Sequence, residues 1–237
     1  MSPWRFIKFN FSNPALNLAM EEALLRFRLE NSNNNILWFW INKPSVILGC
    51  FSKLDEINLV ECKKLEIPVV RRISGGGAVY HDLGNLNYTV IANIGENGLP
   101  MDTLKTYKFI SECLIEGLKH LNIQLNFLPP NTILLNERKV GGMAQHLLYN
   151  VTLIHGTILV NANLELMKKL IKIKIPVINL SEAKNVSLKE VEENLLKGFK
   201  RKLQTVFINS SFTQNELKLA KKLLKIKYSK KWWNLQN

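Results

Sequence analysis

Residues 71–90, RRISGGGAVYHDLGNLNYTV, constrain the fold more than any other stretch of the chain. An apolar extended run, 67–70, leads into two arginines and three consecutive glycines, after which alternating residues resume. That order predicts strand, tight loop, strand. Gly75, Gly76 and Gly77 lack a Cβ, so each can take positive φ and let another molecule touch the backbone, at an entropic cost that calls for a reason. One reason is a loop whose backbone N–H groups face an anion, with Arg71 and Arg72 adding charge and Ser74 a hydroxyl. A flexible hairpin carrying two solvated arginines fits the same residues, and local sequence leaves both open. No GKS or GKT follows, which excludes a P-loop, and no acidic residue stands at the spacing of a dinucleotide crevice. If phosphate binds here, it binds between strands.

With 237 residues, 46% hydrophobic and 22% charged, the chain can fill one core of ordinary size. No apolar run approaches the ~20 residues of a membrane span, and the N-terminus MSPWRFIKFN lacks a signal-peptide core. A cytoplasmic protein with no membrane partner is expected. Cys50, Cys62 and Cys113 show no metal-ligand spacing, and their odd number argues against a disulfide framework. Cys62 and Cys113 read as buried helix residues, Cys50 as a small buried residue ending the run SVILG. The net charge of +13 attracts something acidic, whether nucleic acid, membrane or protein. Much of the excess lies in the last third, from Lys168 to Lys231, and charge alone selects no partner.

Residues 4–9 alternate as a first strand. Asn13-Pro14 starts a helix, with Asn13 as cap and a core stripe of Leu16, Met20, Ala23, Leu24 and Phe27, ended by an Asn-rich turn at 31–35. ILWFWI and SVILG read as strands around a turn. A short helix over 55–66 has Ile57, Val60 and Leu65 inward. Further helices are predicted at 103–121 (with Leu104, Tyr107, Ile110, Leu114 and Leu118 as its stripe), 163–173, 187–203 and 213–224, and strands at 86–92, 123–127 and 132–135. LLYNVTLIHGTILV reads as one strand interrupted by His155 and Gly156. The segment NERKVGGMAQH places the compact cation Lys139 beside a glycine pair, where backbone can approach another group closely. The fold class expected is α+β, a mixed or antiparallel central sheet flanked by helices.

With both glycine passages in view, the sequence resembles the lipoate-protein ligase A family, within the biotin and lipoate ligase group. RRISGGGAVYHDLGNLNYTV resembles its signature, NERKVGGMAQ its lysine segment and HGTILV its later strand; FSNPALNLAMEEALL and YSKKWWN extend the likeness over nearly the whole chain, most closely to the archaeal bipartite form. The resemblance implies a single catalytic domain over 1–237, without the accessory C-terminal domain of longer bacterial members. It also implies two steps: lipoate and Mg-ATP give lipoyl-AMP and pyrophosphate, and the lipoyl group passes to a lysine of an acceptor lipoyl domain. The acceptors implied are the E2 of a 2-oxoacid dehydrogenase and the glycine-cleavage H protein, with a separate small subunit for full activity.

Residue by residue, Arg72, Gly77, Ala78, Val79 and Tyr80 match nucleotide-binding positions. Ser74, Gly75, Gly76, His81 and His155 match the walls of the lipoyl pocket, and Lys139 matches the lysine at the reacting carboxylate and phosphate, touching both ligands. One departure stands out: the family shows a carboxylate after Asn131, and this chain has Thr132, which bears on Mg-ATP use. The alternatives are an octanoyl or lipoyl transferase working without ATP, against which counts the lack of any cysteine after Lys139; a biotin ligase; and, from another class, a basic nucleic-acid-binding protein, for which the chain shows no RNP, helix-turn-helix or zinc signature.

Overall fold

The computed structural model describes residues 3–30, 35–95 and 98–236. The chain begins with β1 (Trp4–Lys8) and α1 (Pro14–Glu30), where Asn13 Oδ1 accepts from the Ala15 N–H at 2.9 Å, the expected cap. Then follow β2 (Ile36–Trp40), β3 (Ser45–Leu48), a 3-10 turn over Leu54–Glu56, α2 (Leu59–Lys64), β4 (Val69–Arg71), β5 (Val79–His81) and β6 (Asn85–Asn93). After α3 (Thr103–Lys119) come β7 (Asn126–Leu128), β8 (Thr132–Leu135), β9 (Arg138–Leu148) and β10 (Val151–Leu159). The last part is mostly helical: α4 (Leu164–Leu170), α5 (Leu180–Ala183), α6 (Leu188–Leu203), β11 (Phe207–Ser210), α7 (Gln214–Leu223), a π-helical turn over Leu224–Tyr228 and α8 (Lys231–Asn234).

An eight-stranded mixed sheet in the order β11-β1-β2-β6-β10-β9-β8-β7 forms the body. Only β11, β1 and β2 run parallel; from β2 onward the neighbours are antiparallel. Alternate residues of its strands enter two cores, as a sheet covered on both faces requires. On one face α3 and α6 pack together, and Phe199 meets Phe39 and Tyr88 of the sheet. On the other, α1 and α7 pack together over Ile7, Trp38, Ile91 and Leu153. The α+β class expected from the sequence is the one observed.

The second sheet holds β4, β3 and β5 in that order, so β3 separates the two strands that the triglycine loop joins. The loop is therefore a crossover and not the tip of a hairpin. LLYNVTLIHGTILV is likewise not one strand: β9 ends at Leu148, Tyr149 and Asn150 turn, and β10 returns with Val151 opposite Leu148. A two-residue turn barely interrupts period-2 alternation, which is why the two strands read as one. Val60 and Leu65 point outward and Cys62 inward, because α2 is a short helix from Leu59 and its buried side is set by contact with α4. Leu104 is exposed at the start of α3, while Ile110, Leu114 and Leu118 are buried as expected. Pairing in the 123–127 region begins only at Asn126, and α5 and β11 were not anticipated. Cys62 and Cys113 are buried, but Cys50 is only half-buried. Of the Asn-rich turn expected at 31–35, residues 31–34 lie outside the described residues.

Candidate active site

Between the α1 face of the large sheet and the small sheet lies a cavity of about 270 Å³. Its floor comes from Trp40 of β2 and His155, Thr157 and Leu159 of β10, with Leu18 of α1 at one side. The opposite wall is Gly76 to His81, and the edge is Lys139 and Gly141 to Ala144 of β9. Met167 of α4, with residues 171–175 and Val177 after it, closes the rim. That rim is stitched in place: Lys139 N–H donates to Pro176 O at 2.7 Å, Ile178 N–H to Lys139 O at 3.0 Å, and Lys172 N–H to Glu56 O at 2.9 Å. Walls so largely apolar with a few convergent polar groups are what a small-molecule site requires.

The two arginines divide their work. Arg71 is fully buried and faces away from the cavity, its guanidinium bonding the carbonyls of Gly49, Ser52, Trp233 and Gln236. It ties the C-terminal segment to the loop before α2, which corrects the expectation that it adds charge to an anion site. Arg72 does line the cavity, but most of its donors hold the glycine loop: Nε to Ser74 Oγ, Nη2 to the carbonyls of Gly75 and Gly77, Nη1 to Ile47 O. Burial pulls its pKa down to about 10, against the charges of Glu21 and Glu56, so it stays protonated at neutral pH.

Of the three glycines only Gly76 takes positive φ, at 84°. Its carbonyl occupies the space where a Cβ on Gly49 would sit, 1.8 Å away, and accepts from Ser52 Oγ at 3.0 Å. The loop N–H groups are not all turned to an outside anion. Ala78 N–H donates to Glu56 Oε2 at 2.9 Å, while those of Gly76 and Gly77 have no partner among the described residues. Glu56 lines the cavity and gave no signal in the sequence, since it reaches the loop from a 3-10 turn. Lys172 and Lys174, read only as part of a general positive charge, also line it.

Lys139 is the expected cation and sits where expected, on the cavity wall with the loop. Its ammonium has no hydrogen bond or ion pair among the described residues. Burial and the nearby positive charge of Arg72 hold its pKa below the ordinary lysine range.

Behind the wall runs a buried polar chain that the sequence did not announce. Arg72 Nε donates to Ser74 Oγ at 3.0 Å, Ser74 Oγ lies 2.6 Å from His155 Nε2, and His155 Nδ1 is 2.8 and 2.9 Å from the two Glu21 carboxylate oxygens. Thr89 Oγ1 donates to Glu21 as well, and Trp40 Nε1 to Thr89. Thus Ser74 is fully buried and, with Gly75, is not among the lining residues; it fixes His155 from behind. The other expected site residues, Arg72, Gly76, Gly77, Ala78, Val79, Tyr80, His81, Lys139 and His155, all line the one cavity.

Residues 13–200 match the description of the lipoyl protein ligase A/B catalytic domain. The chain belongs to that family. Among its relatives, lipoate-protein ligase A subunit 1 of Thermoplasma acidophilum is 31% identical over 94% of this chain and 92% of its own length. Octanoyltransferase LipM of Geobacillus kaustophilus is 28% identical over 98% of both. The solved structure of a bipartite lipoate protein ligase, described with its E2 lipoyl domain from Thermoplasma acidophilum, has a TM-score of 0.91 at 28% identity, over 99% of this chain and 97% of that one. A lipoate-protein ligase A bound with ATP gives 0.90 at 29% identity over 99% of both. The mixed sheet and the cavity are thus those of a lipoyl ligase or transferase enzyme.

Magnesium was expected with the nucleotide. Among the described residues no group of three or more His, Cys, Asp or Glu could hold a metal ion. Thr132 is buried against the sheet edge, and neighbouring Asn131 lines the cavity while its Nδ2 donates to Met143 O. Among the described residues Glu56 is the one carboxylate on the wall. This donor set fits an ion that arrives on its phosphates and takes one carboxylate, which is how Mg²⁺ is ordinarily held at nucleotide sites.

Proposed function

We propose that this member of the family is an ATP-dependent lipoate-protein ligase. The observation that carries the reading is the Lys139 ammonium, unpaired among the described residues, in a largely apolar cavity walled by the glycine loop. A carboxylate on a short apolar chain fits such a space with its charge at Lys139. In the first step a lipoate oxygen attacks the α-phosphorus of ATP and the bond to pyrophosphate breaks. Two anions must meet there, and a fixed cation between them lowers the repulsion. In the second step the acceptor lysine amine attacks the acyl carbon, AMP leaves with its phosphate oxygen, and the amine's proton passes to solvent. Lys139 serves again by holding the developing charge on the carbonyl oxygen. Gly77 to Tyr80 supply backbone and side-chain wall for the nucleotide; His81, His155 and Gly76 enclose the acyl chain. Glu56 would hold Mg²⁺ arriving with the phosphates, and the ion would supply charge neutralisation there.

The acceptors on this reading are lipoyl domains of E2 or H-protein type, met through the basic surface, and a separate small subunit completes the enzyme. Three free cysteines fit a reducing cytoplasm.

The relatives that are octanoyltransferases favour a second reading, transfer from an acyl carrier without ATP. A cysteine-dependent transfer needs a thiol at the acyl carbon, and none of Cys50, Cys62 or Cys113 lines the cavity. The test is direct: purified protein, with and without a candidate small subunit, is given lipoate, ATP and a lipoyl domain, and pyrophosphate and acceptor mass are measured. Pyrophosphate release with a lipoyl mass gain supports the ligase. Acylation from octanoyl carrier alone, with no pyrophosphate from lipoate and ATP, replaces it with the transferase.

A further inference from the structure

His81 has its two ring nitrogens in different surroundings. Nδ1 lies 3.0 Å from Asn42 Nδ2, inside the protein. Nε2 has no partner among the described residues, yet it is not among the polar atoms sealed from solvent without one, and the ring lines the cavity edge-on to Trp40. Nε2 is therefore the polar atom that His81 shows to a ligand.

Whether Nε2 carries a hydrogen is decided outside the cavity. The backbone N–H of Phe11 can only donate, and it donates to Asn17 Oδ1 at 3.1 Å, while Asn17 Nδ2 donates to Phe11 O at 3.1 Å. These two backbone bonds set the Asn17 amide one way round. Its Nδ2 then donates to Asn42 Oδ1 at 2.7 Å, which leaves Asn42 Nδ2 facing His81. An amide nitrogen can only donate, so Nδ1 must accept and a neutral ring carries its hydrogen on Nε2. Burial, with the positive charge of Arg72, holds the ring neutral by pushing its pKa down to about 3.

We infer that Asn17 and Asn42 are positioning residues that lock His81 as an N–H donor aimed into the cavity, and that this donor selects an acyl chain carrying an acceptor atom over a plain one. The inference rests on the lipoate reading and deepens it. A dithiolane sulfur is a weak acceptor, whereas the methyl end of octanoate leaves the N–H unmatched in a desolvated wall. The discrimination expected is roughly five- to tenfold in affinity, the scale of one unsatisfied donor.

Two measurements test it. With ¹⁵N-labelled histidine, the wild-type His81 signals, assigned by their loss in His81→Gln, should show Nδ1 bare and Nε2 protonated from pH 8 to pH 5. Asn42→Leu should convert this to a mixture of tautomers. By calorimetry, wild type and His81→Gln, which keeps a donor near the Nε2 position, should prefer lipoate to octanoate, and His81→Phe should bind both within about twofold. A wild-type ring protonated on Nδ1, or a tautomer indifferent to Asn42→Leu, overturns the relay. Undiminished lipoate preference in His81→Phe overturns the selection. Wild-type protein that binds neither acid overturns the lipoate reading, and with it the selection, whereas the relay is decided by the spectrum alone.

Discussion

Gly142 makes room for Lys139. A Cβ at Gly142 would lie 3.1 Å from the lysine Cε and 3.2 Å from its Nζ, so the side chain lies along its own strand across a residue that offers no obstruction. Gly142→Ala should leave the melting temperature almost unchanged, since the far end of a flexible side chain gives way. The displaced ammonium should lower the adenylation rate by about tenfold, as misplacement of a reacting group does. Pyrophosphate release measured beside a thermal melt checks both halves.

Removing the ammonium should separate stability from activity. Lys139→Met is expected to reduce both half-reactions by about 10²- to 10³-fold. Because the folded pKa of Lys139 lies below the unfolded value, the unfolded chain binds more protons between the two, and stability rises with pH across that window. Below it the penalty for burying the charge is fully present. At neutral pH the variant should therefore melt slightly higher than wild type, by roughly 2 °C. A lower melting temperature would count against the unpaired, desolvated state.

Glu22 should make part of the stability sensitive to acid. Burial raises its pKa, but hydrogen bonds from Lys227 and Tyr228, with Arg26, more than offset that and leave it lowered. The stabilisation is present above the unfolded carboxylate value and lost as pH falls through the lowered folded one. Tyr228→Phe should cost about 1–2 kcal/mol at pH 7, the value of a bond to a charged group. In denaturant titrations its deficit against wild type should shrink as acid protonates the carboxylate.

Arg71 is a buried cation bonded to backbone carbonyls from two separate parts of the chain. Arg71→Lys keeps the charge but cannot reach them all, and should destabilise by about 3 kcal/mol. The indole of Trp233 donates to Arg71 O at 2.8 Å and lies under Lys227, 4.0 Å from its ring centre. Its fluorescence should shift to the red in the variant as the C-terminal segment loosens. An unchanged spectrum and melt would show that the clamp is dispensable.

Contiguous sequence was enough for the strand–loop–strand order around the glycines, the cation Lys139 beside its glycine pair, the Asn13 cap of α1 and the α+β class, because each is written in residues a few positions apart. Local chemistry explains why: a glycine run or an Asn-Pro start has its meaning within one turn of chain. What only tertiary structure decided was which of two adjacent arginines meets the cavity. Arg71 and Arg72 sit next to each other, yet β-strand alternation turns one to the C-terminal segment and the other to the glycine loop. Glu21, Asn17 and Asn42 were equally hidden, since a polar residue on a helix or turn gives no sign of burial until the sheet closes over it. Their partners lie far along the chain, Glu21 reaching His155 and Asn42 reaching His81. Hydrogen-bond partnership across such separations is a property of packing, and packing exists only once the whole chain has folded.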